Sequence, residues 1–152
     1  MNTLSRKSQV RQLIQQIEFI HLRDFSMSFG VYVKDGQIYL IGCFANEAAG
    51  DVFNRRIANT IIANRLLSYI DDESVAYVFA EKHPLIQGGR IRNDKDRAYA
   101  IASILRDEFR HGNTNFYGNI DEEVWPGICE DFRNIMEDID NGLCGDYLNE
   151  KS

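Results

Sequence analysis

Two arginine-bearing segments are the residues of this chain best suited to chemistry. The first runs Asp51-Val-Phe-Asn-Arg-Arg-Ile-Ala-Asn-Thr-Ile-Ile-Ala-Asn-Arg65 and carries Arg55, Arg56 and Arg65. The second, Arg90-Ile-Arg-Asn-Asp-Lys-Asp-Arg97, is a polar loop running into a helical pattern. Guanidinium forks beside the free amides of a helix start are suited to phosphate, because both supply directed N–H donors to anionic oxygens. Phe79, at the end of a β-rich run, is placed to offer a base a stacking face. The plain alternative is a solvated helix face with Asp–Arg pairs.

Other chemistries have weaker signals. His21, His83 and His111 are far apart and form no HxxxH, HExxH or HxE pattern, so they read as isolated surface or capping histidines. Cys43, Cys129 and Cys144 are odd in number and widely spaced, which argues against a disulfide framework or a zinc site and for buried free thiols in a reducing compartment. The acidic pairs Asp71-Asp72 and Glu122-Glu123 fall at expected helix ends, where solvated caps are the commoner role. No P-loop, GxGxxG or serine elbow occurs, and Gly88-Gly89 alone reads as a turn. These absences point to a binder that is not an enzyme and needs no metal or cofactor.

Charge divides the chain. Residues 1–111 hold 15 Lys+Arg against 13 Asp+Glu (net +2), and residues 112–152 hold 2 against 10 (net −8). A chain with net charge −6 lacks the basic face that generic nucleic-acid binding requires, but a local pocket for a small phosphorylated ligand remains open in the first part. The polar start of the chain and the absence of a 20-residue apolar run predict a cytoplasmic protein off the membrane.

The elements that must position these residues follow from periodicity. Leu4, Val10, Leu13, Ile14, Ile17 and Ile20 predict an amphipathic helix over about 4–20. Phe25–Val33 and Ile38–Ala45 predict two strands joined by an Asp35-Gly36 hairpin turn. A helix is expected over about 52–70 with Asp51 as cap, then a short strand over 74–80 and a loop from His83. Asn93 or Asp94 caps a helix over 95–110, and an acidic helix spans 121–139 with Pro126 either in its first turn or at a kink. The expected fold is α/β of the α+β kind: an N-terminal helix, an antiparallel hairpin plus a further strand, and two or three packing helices. It forms one domain, residues 1–152, with an α/β core over 1–112 and an acidic helical extension over 113–152.

The stretch Ile38-Tyr-Leu-Ile-Gly-Cys-Phe-Ala45, then Asp51-x-Phe53-Asn-Arg55-Arg56-Ile-Ala58 and Ala63-Asn-Arg65, resembles the phage anti-Thoeris sponge proteins over about 30 of the 152 residues. In that family a strand is followed by a D-x-F-x-(K/R)-x-x-(G/A) pattern and then I-A-x-x-R. The resemblance implies homo-oligomers that sequester glycocyclic ADP-ribose, and in some members cyclic oligonucleotides, without cleaving them. It implies an aromatic on adenine and Asn and Arg side chains on ribose and phosphates. Phe79, Asn93 and Arg97 are the residues here of those types, with Arg106 or Arg110 reaching from the same or a neighbouring subunit. The rival readings are a protein-binding module that uses the acidic tail as a nucleic-acid mimic, and a nucleotide hydrolase.

Overall fold

An Asp-Gly turn organises the sheet. In the computed structural model, which describes residues 5–45, 50, 53–72, 79–84, 93–110 and 124–141, Asp35 and Gly36 have φ of 52° and 75°. Positive φ at both central positions matches the right-handed twist of the strands they join. Strand β2 (Met27–Lys34) thereby pairs with β3 (Gln37–Phe44) from Lys34↔Gln37 to Met27↔Phe44. Two further strands, β1 (Glu18–Leu22) and β4 (Ala80–Pro84), complete an antiparallel sheet in the order β1-β2-β3-β4.

Both faces of this sheet are covered. Met27, Phe29, Val31 and Val33 of β2 pack with Ile38 and Leu40 under helices α3 (Asp94–Arg110) and α4 (Trp125–Asp140). Tyr32, Tyr39, Ile41 and Cys43 face α1 (Arg6–Ile14) and α2 (Arg55–Asp71). The result is a three-layer α/β/α sandwich, which explains why β2 is buried at every position from Met27 to Val33 instead of alternating. In α4 the buried residues Trp125, Ile128, Cys129, Phe132, Ile135, Met136 and Ile139 recur at helical spacing, with Pro126 in the first turn. Each large side chain buried in this way contributes about 1.5–3 kcal/mol. No helix among the described residues is long and apolar enough to cross a membrane.

The expected elements shift in three places. The first helix ends at Ile14, where the Gln15 N–H turns back to Gln12 and Leu13, and residues 18–22 form β1. Ile17 and Ile20, three apart, fit a helical period, but they pack on opposite faces of the sheet, as a period of 2 requires of an odd spacing; backbone pairing of Glu18–Leu22 with Met27–Val31 decides for strand. Strand β4 lies at Ala80–Pro84, so His83 is in a strand and not a loop, while residues 74–78 of the expected strand lie outside the described residues. The second helix begins at Arg55 under Asn54, whose side chain accepts from Ile57 N; Asp51 lies outside the described residues.

Gly30 is where α2 touches the sheet most closely. A methyl added there would lie 2.5 Å from Ile62 Cγ2 and 2.9 Å from Ile17 Cγ2, both stiff, buried β-branched side chains. Gly30→Ala is expected to destabilise the fold by about 1–3 kcal/mol in urea unfolding. Gly127→Ala, whose methyl would meet nothing within 4 Å on α4, is expected to be neutral or to stabilise by up to about 1 kcal/mol.

Candidate functional site

The start of α2 is built by its own cap. Asn54 is extended (φ −142°, ψ 115°), and its Oδ1 accepts from Ile57 N at 3.0 Å, so Arg55 is the first helical residue and Phe53 lies just ahead of it. Beside this end is a cavity of about 400 Å³, walled by Ser28, Cys43, Phe44, Phe53, Asn54 and Ile57. Its volume falls within the range of small-molecule sites, and its wall is apolar with few polar groups.

His21 of β1 adjoins this cavity through Ser28. Its Nδ1 lies 2.8 Å from Ser28 Oγ; Ser28, opposite it on β2, is a buried polar residue and part of the cavity wall. Phe19 stacks beside the imidazole at 6.1 Å and Phe53 meets it edge-on at 6.2 Å. Burial pushes the imidazole below its ordinary pKa, and the positive charges of Arg55 and, more weakly, Arg106 push the same way. Asn59 opposes them by turning its carbonyl toward the ring. That oxygen, Asn59 Oδ1, is buried and has no partner at full bonding geometry among the described residues.

Arg55 from α2 and Arg106 from α3 therefore act on one point from the two helical layers of the sandwich. Neither has a carboxylate partner among the described residues, whereas Arg97 stands 3.6 Å from Asp94, Arg133 lies 2.7 Å from Glu81, and Lys95 pairs with Glu18. Arg23, in the 3-10 turn Arg23–Phe25, lies over the Phe53 ring at 5.8 Å. Among the described residues the cavity wall carries the aromatics Phe44 and Phe53 and no charged side chain; Arg23 lies over Phe53, and Arg55 follows the wall residue Asn54.

The other expected site residues are placed differently. Phe79 is 9 % exposed, with Phe44 and Trp125 edge-on to it and the Arg65 guanidinium 5.3 Å above the ring, so it is a core residue and not an open platform for a base. Arg65 also donates to the Gly42 carbonyl, which ties it to the fold. Asn93 caps α3: its Oδ1 accepts from Asp96 N at 2.8 Å, and its Nδ2 donates to Asp96 Oδ2. A second hollow beside it is walled by Lys34 and Lys95 together with Asp94 and Asp96, two cations against two carboxylates. Arg97 keeps a buried Nε without a partner among the described residues. Arg56 is exposed on α2, and Arg110 is exposed at the last residue of α3. Phe79 and Asn93 thus serve the core and the start of α3, and neither is on the wall of the cavity beside α2.

Ser28 was not singled out from the sequence, His21 was read as an isolated surface or capping histidine, and Phe53 entered only within the Asp51–Ala58 pattern. The signal available was the alternation Phe19-Ile20-His21-Leu22, which places His21 on the face of Ser28 once residues 18–22 are read as a strand. His21 is accordingly part-buried and hydrogen-bonded, not an isolated surface histidine. His83 is on β4 at the far edge of the sheet, against Phe132, and His111 lies outside the described residues. Cys43 and Cys129 are buried and form no disulfide with each other, and burial beside Glu81 pushes the Cys129 thiol far up. Among the described residues no group of three His, Cys, Asp or Glu side chains could hold a metal ion. Comparison with family models, with curated proteins and with solved structures found no match.

A histidine held neutral by burial costs stability once the unfolded chain takes up its proton. Because the folded pKa is lowered, the unfolded state binds more protons, and stability falls with pH through the ordinary histidine range. Urea midpoints are expected to drop between about pH 7.5 and 5.5, and His21→Gln to flatten that slope.

Proposed function

We propose that this chain sequesters a small cyclic nucleotide signal of the glycocyclic ADP-ribose type without turning it over, as a phage protein acting against a host immune pathway. The observation that carries the reading is a cavity of about 400 Å³ beside the start of α2, with Phe44 and Phe53 on its wall, Arg23 lying over the Phe53 ring and Arg55 next in sequence to the wall residue Asn54. Phe53 on the cavity wall takes the stacking role that residue order had assigned to Phe79. The resemblance of the Asp51–Arg65 segment to anti-Thoeris sponges supports the same ligand class. A sponge must bind well below the signal's concentration. Nanomolar affinity requires about −12 kcal/mol, which two or three charge-assisted contacts and a stacked base in an enclosed site can supply. Self-association belongs to this reading, and Ile57, 58 % exposed on the cavity wall, is an apolar contact it would cover.

A second reading has one specific observation in its favour. Ser28 Oγ and His21 Nδ1 lie at 2.8 Å on the cavity side, the separation of a serine–histidine pair, which favours hydrolysis of the same ligand. The acidic-partner alternative rests on charge: α4 exposes Glu130, Glu137 and Asp138 while its apolar face is in the core.

One experiment separates the three. Purified protein is mixed with glycocyclic ADP-ribose, freed of unbound ligand and heat-denatured, and the released material is analysed by mass spectrometry. Intact ligand recovered near stoichiometrically is expected, and Arg55→Gln is expected to cut retention by about tenfold or more. Cleaved product that disappears in Ser28→Ala would establish the hydrolase. No depletion of ligand would remove this ligand class and leave the acidic surface as the better lead.

A further inference from the structure

The cavity beside α2 is uncharged wherever the described residues wall it. Its polar side chains are the hydroxyls of Ser26 and Ser28 and the amide of Asn54, set among Phe44, Phe53, Ile57 and Ile61. The nearby cations stand off the wall: Arg23 lies over the Phe53 ring, and Arg55 is exposed on α2 just after Asn54. A phosphate drawn into such a recess would lose its hydration with no cation to replace it, whereas a neutral ring loses little. A volume of about 400 Å³ admits a flat heterocycle.

Two features of the wall are more than packing requires. Ser26 carries a side chain at a φ of 54°, strain of the kind that collects at ligand sites. Ser28 is the one fully buried polar side chain among the described residues, and its Oγ lies 2.8 Å from His21 Nδ1 on the neighbouring strand. The imidazole is flanked in turn by Phe19, stacked at 6.1 Å, and by Phe53, edge-on at 6.2 Å. His21 therefore directs the Ser28 hydroxyl and braces the aromatic beside it. One proton lies between the two. Where Ser28 donates to Nδ1, its oxygen offers the cavity lone pairs only; where Nδ1–H donates to Ser28, the hydroxyl keeps its own proton to donate. In either arrangement the wall presents a single hydrogen-bonding polarity.

We propose that Ser28 is the specificity-determining residue of the cavity, reading the hydrogen-bonding edge of a neutral nucleobase seated beside Phe44 and Phe53, and that His21 is the residue that positions it. The charged part of the ligand stays outside the recess, on the side of Arg55. The inference rests on the reading of the cavity as the ligand site and adds which end of the ligand enters it and what tells one base from another. A base of the wrong polarity leaves the buried hydroxyl unpaired, and that mismatch is what discriminates.

The test titrates the full chain by NMR with adenosine and with inosine, two uncharged nucleosides of nearly one shape whose six-membered-ring edges have opposite polarity, and with ribose 5-phosphate as a charged probe without a base. One nucleoside is expected to bind about fivefold or more tighter than the other, the sign telling which way the shared proton points. Ser28→Ala is expected to bring the two within about twofold. His21→Phe, which keeps a ring against Phe19 and Phe53, is expected to do the same, and His21→Asn, whose amide can stand where Nδ1 stands, to restore part of the difference. A merely structural His21 would move urea midpoints and leave the ratio alone. Ile57→Ala, at an exposed wall position, is expected to weaken both nucleosides severalfold with their ratio unchanged, which locates them in this cavity. Equal affinities in the unaltered chain, a ratio that survives Ser28→Ala, or displacement of nucleoside by ribose 5-phosphate would overturn the inference. Nucleosides distinguished through Ser28 by a protein that does not retain glycocyclic ADP-ribose would keep the base pocket and reject that ligand. Glycocyclic ADP-ribose retained equally by the unaltered chain and by Ser28→Ala, with no nucleoside bound, would do the reverse.

Discussion

The close seating of α2 on Gly30 is the constraint on which the rest of the structure depends. A β-strand residue with no side chain lets Ile62 and Ile17 come within van der Waals reach of the sheet backbone, closer than any Cβ would allow. Ile62 fixes the rotation of the helix, and Asn59 and Arg55 lie three and seven residues before it, on the same face one and two turns away. That face runs along the sheet toward His21 and Ser28. The register of β1 on β2, His21↔Ser28, then decides which side chains the helix start meets. One apolar contact at the sheet centre thus places a polar site near its edge.

Charge has a structural use in this frame. Several cations of the described residues tie elements together. Arg6 ties α1 to α2 through Asn64 and Ser68 and lies 3.7 Å from Asp71; Lys95 reaches the Ile17 carbonyl and Glu18; Arg65 holds Gly42; Arg133 holds Glu81. These bonds join consecutive layers and strands, and being largely exposed most contribute little individually. Arg55 and Arg106 do not take part. Neither has a carboxylate partner among the described residues, and the charge of each lowers the pKa of the part-buried His21.

The acidic second part of the chain has a structural use that is independent of its charge. The seven buried residues of α4 join the same core cluster as Ile38 and Leu40 of β3, so the helix is part of the core. Its carboxylates are on the outer face because the inner face is fully occupied. The −8 balance of residues 112–152 therefore lies on a folded part of the sandwich at least over 125–140.

By itself the sequence determined the local features that few residues can encode. Asp35-Gly36 specifies a turn with two positive φ values, Asn93 specifies a helix start, and the spacing from Trp125 to Ile139 specifies a one-sided helix. It also marked Arg55 and Arg106 as available cations. What only the tertiary structure decided was pairing and proximity. Ile17 and Ile20 have a helical spacing, and only the unpaired edge of β2 makes residues 18–22 a strand and sends the two to opposite faces. His21 gains meaning only from Ser28, Asn59, Arg55 and Arg106, which come from three other elements and are up to 85 residues away in the chain. Phe79 lost its expected role for the same reason: the aromatic cluster that buries it joins β3 to α4. Short-range patterns follow from backbone geometry and can be read locally. A binding site is a set of long-range contacts, and its energy is settled only when the layers pack.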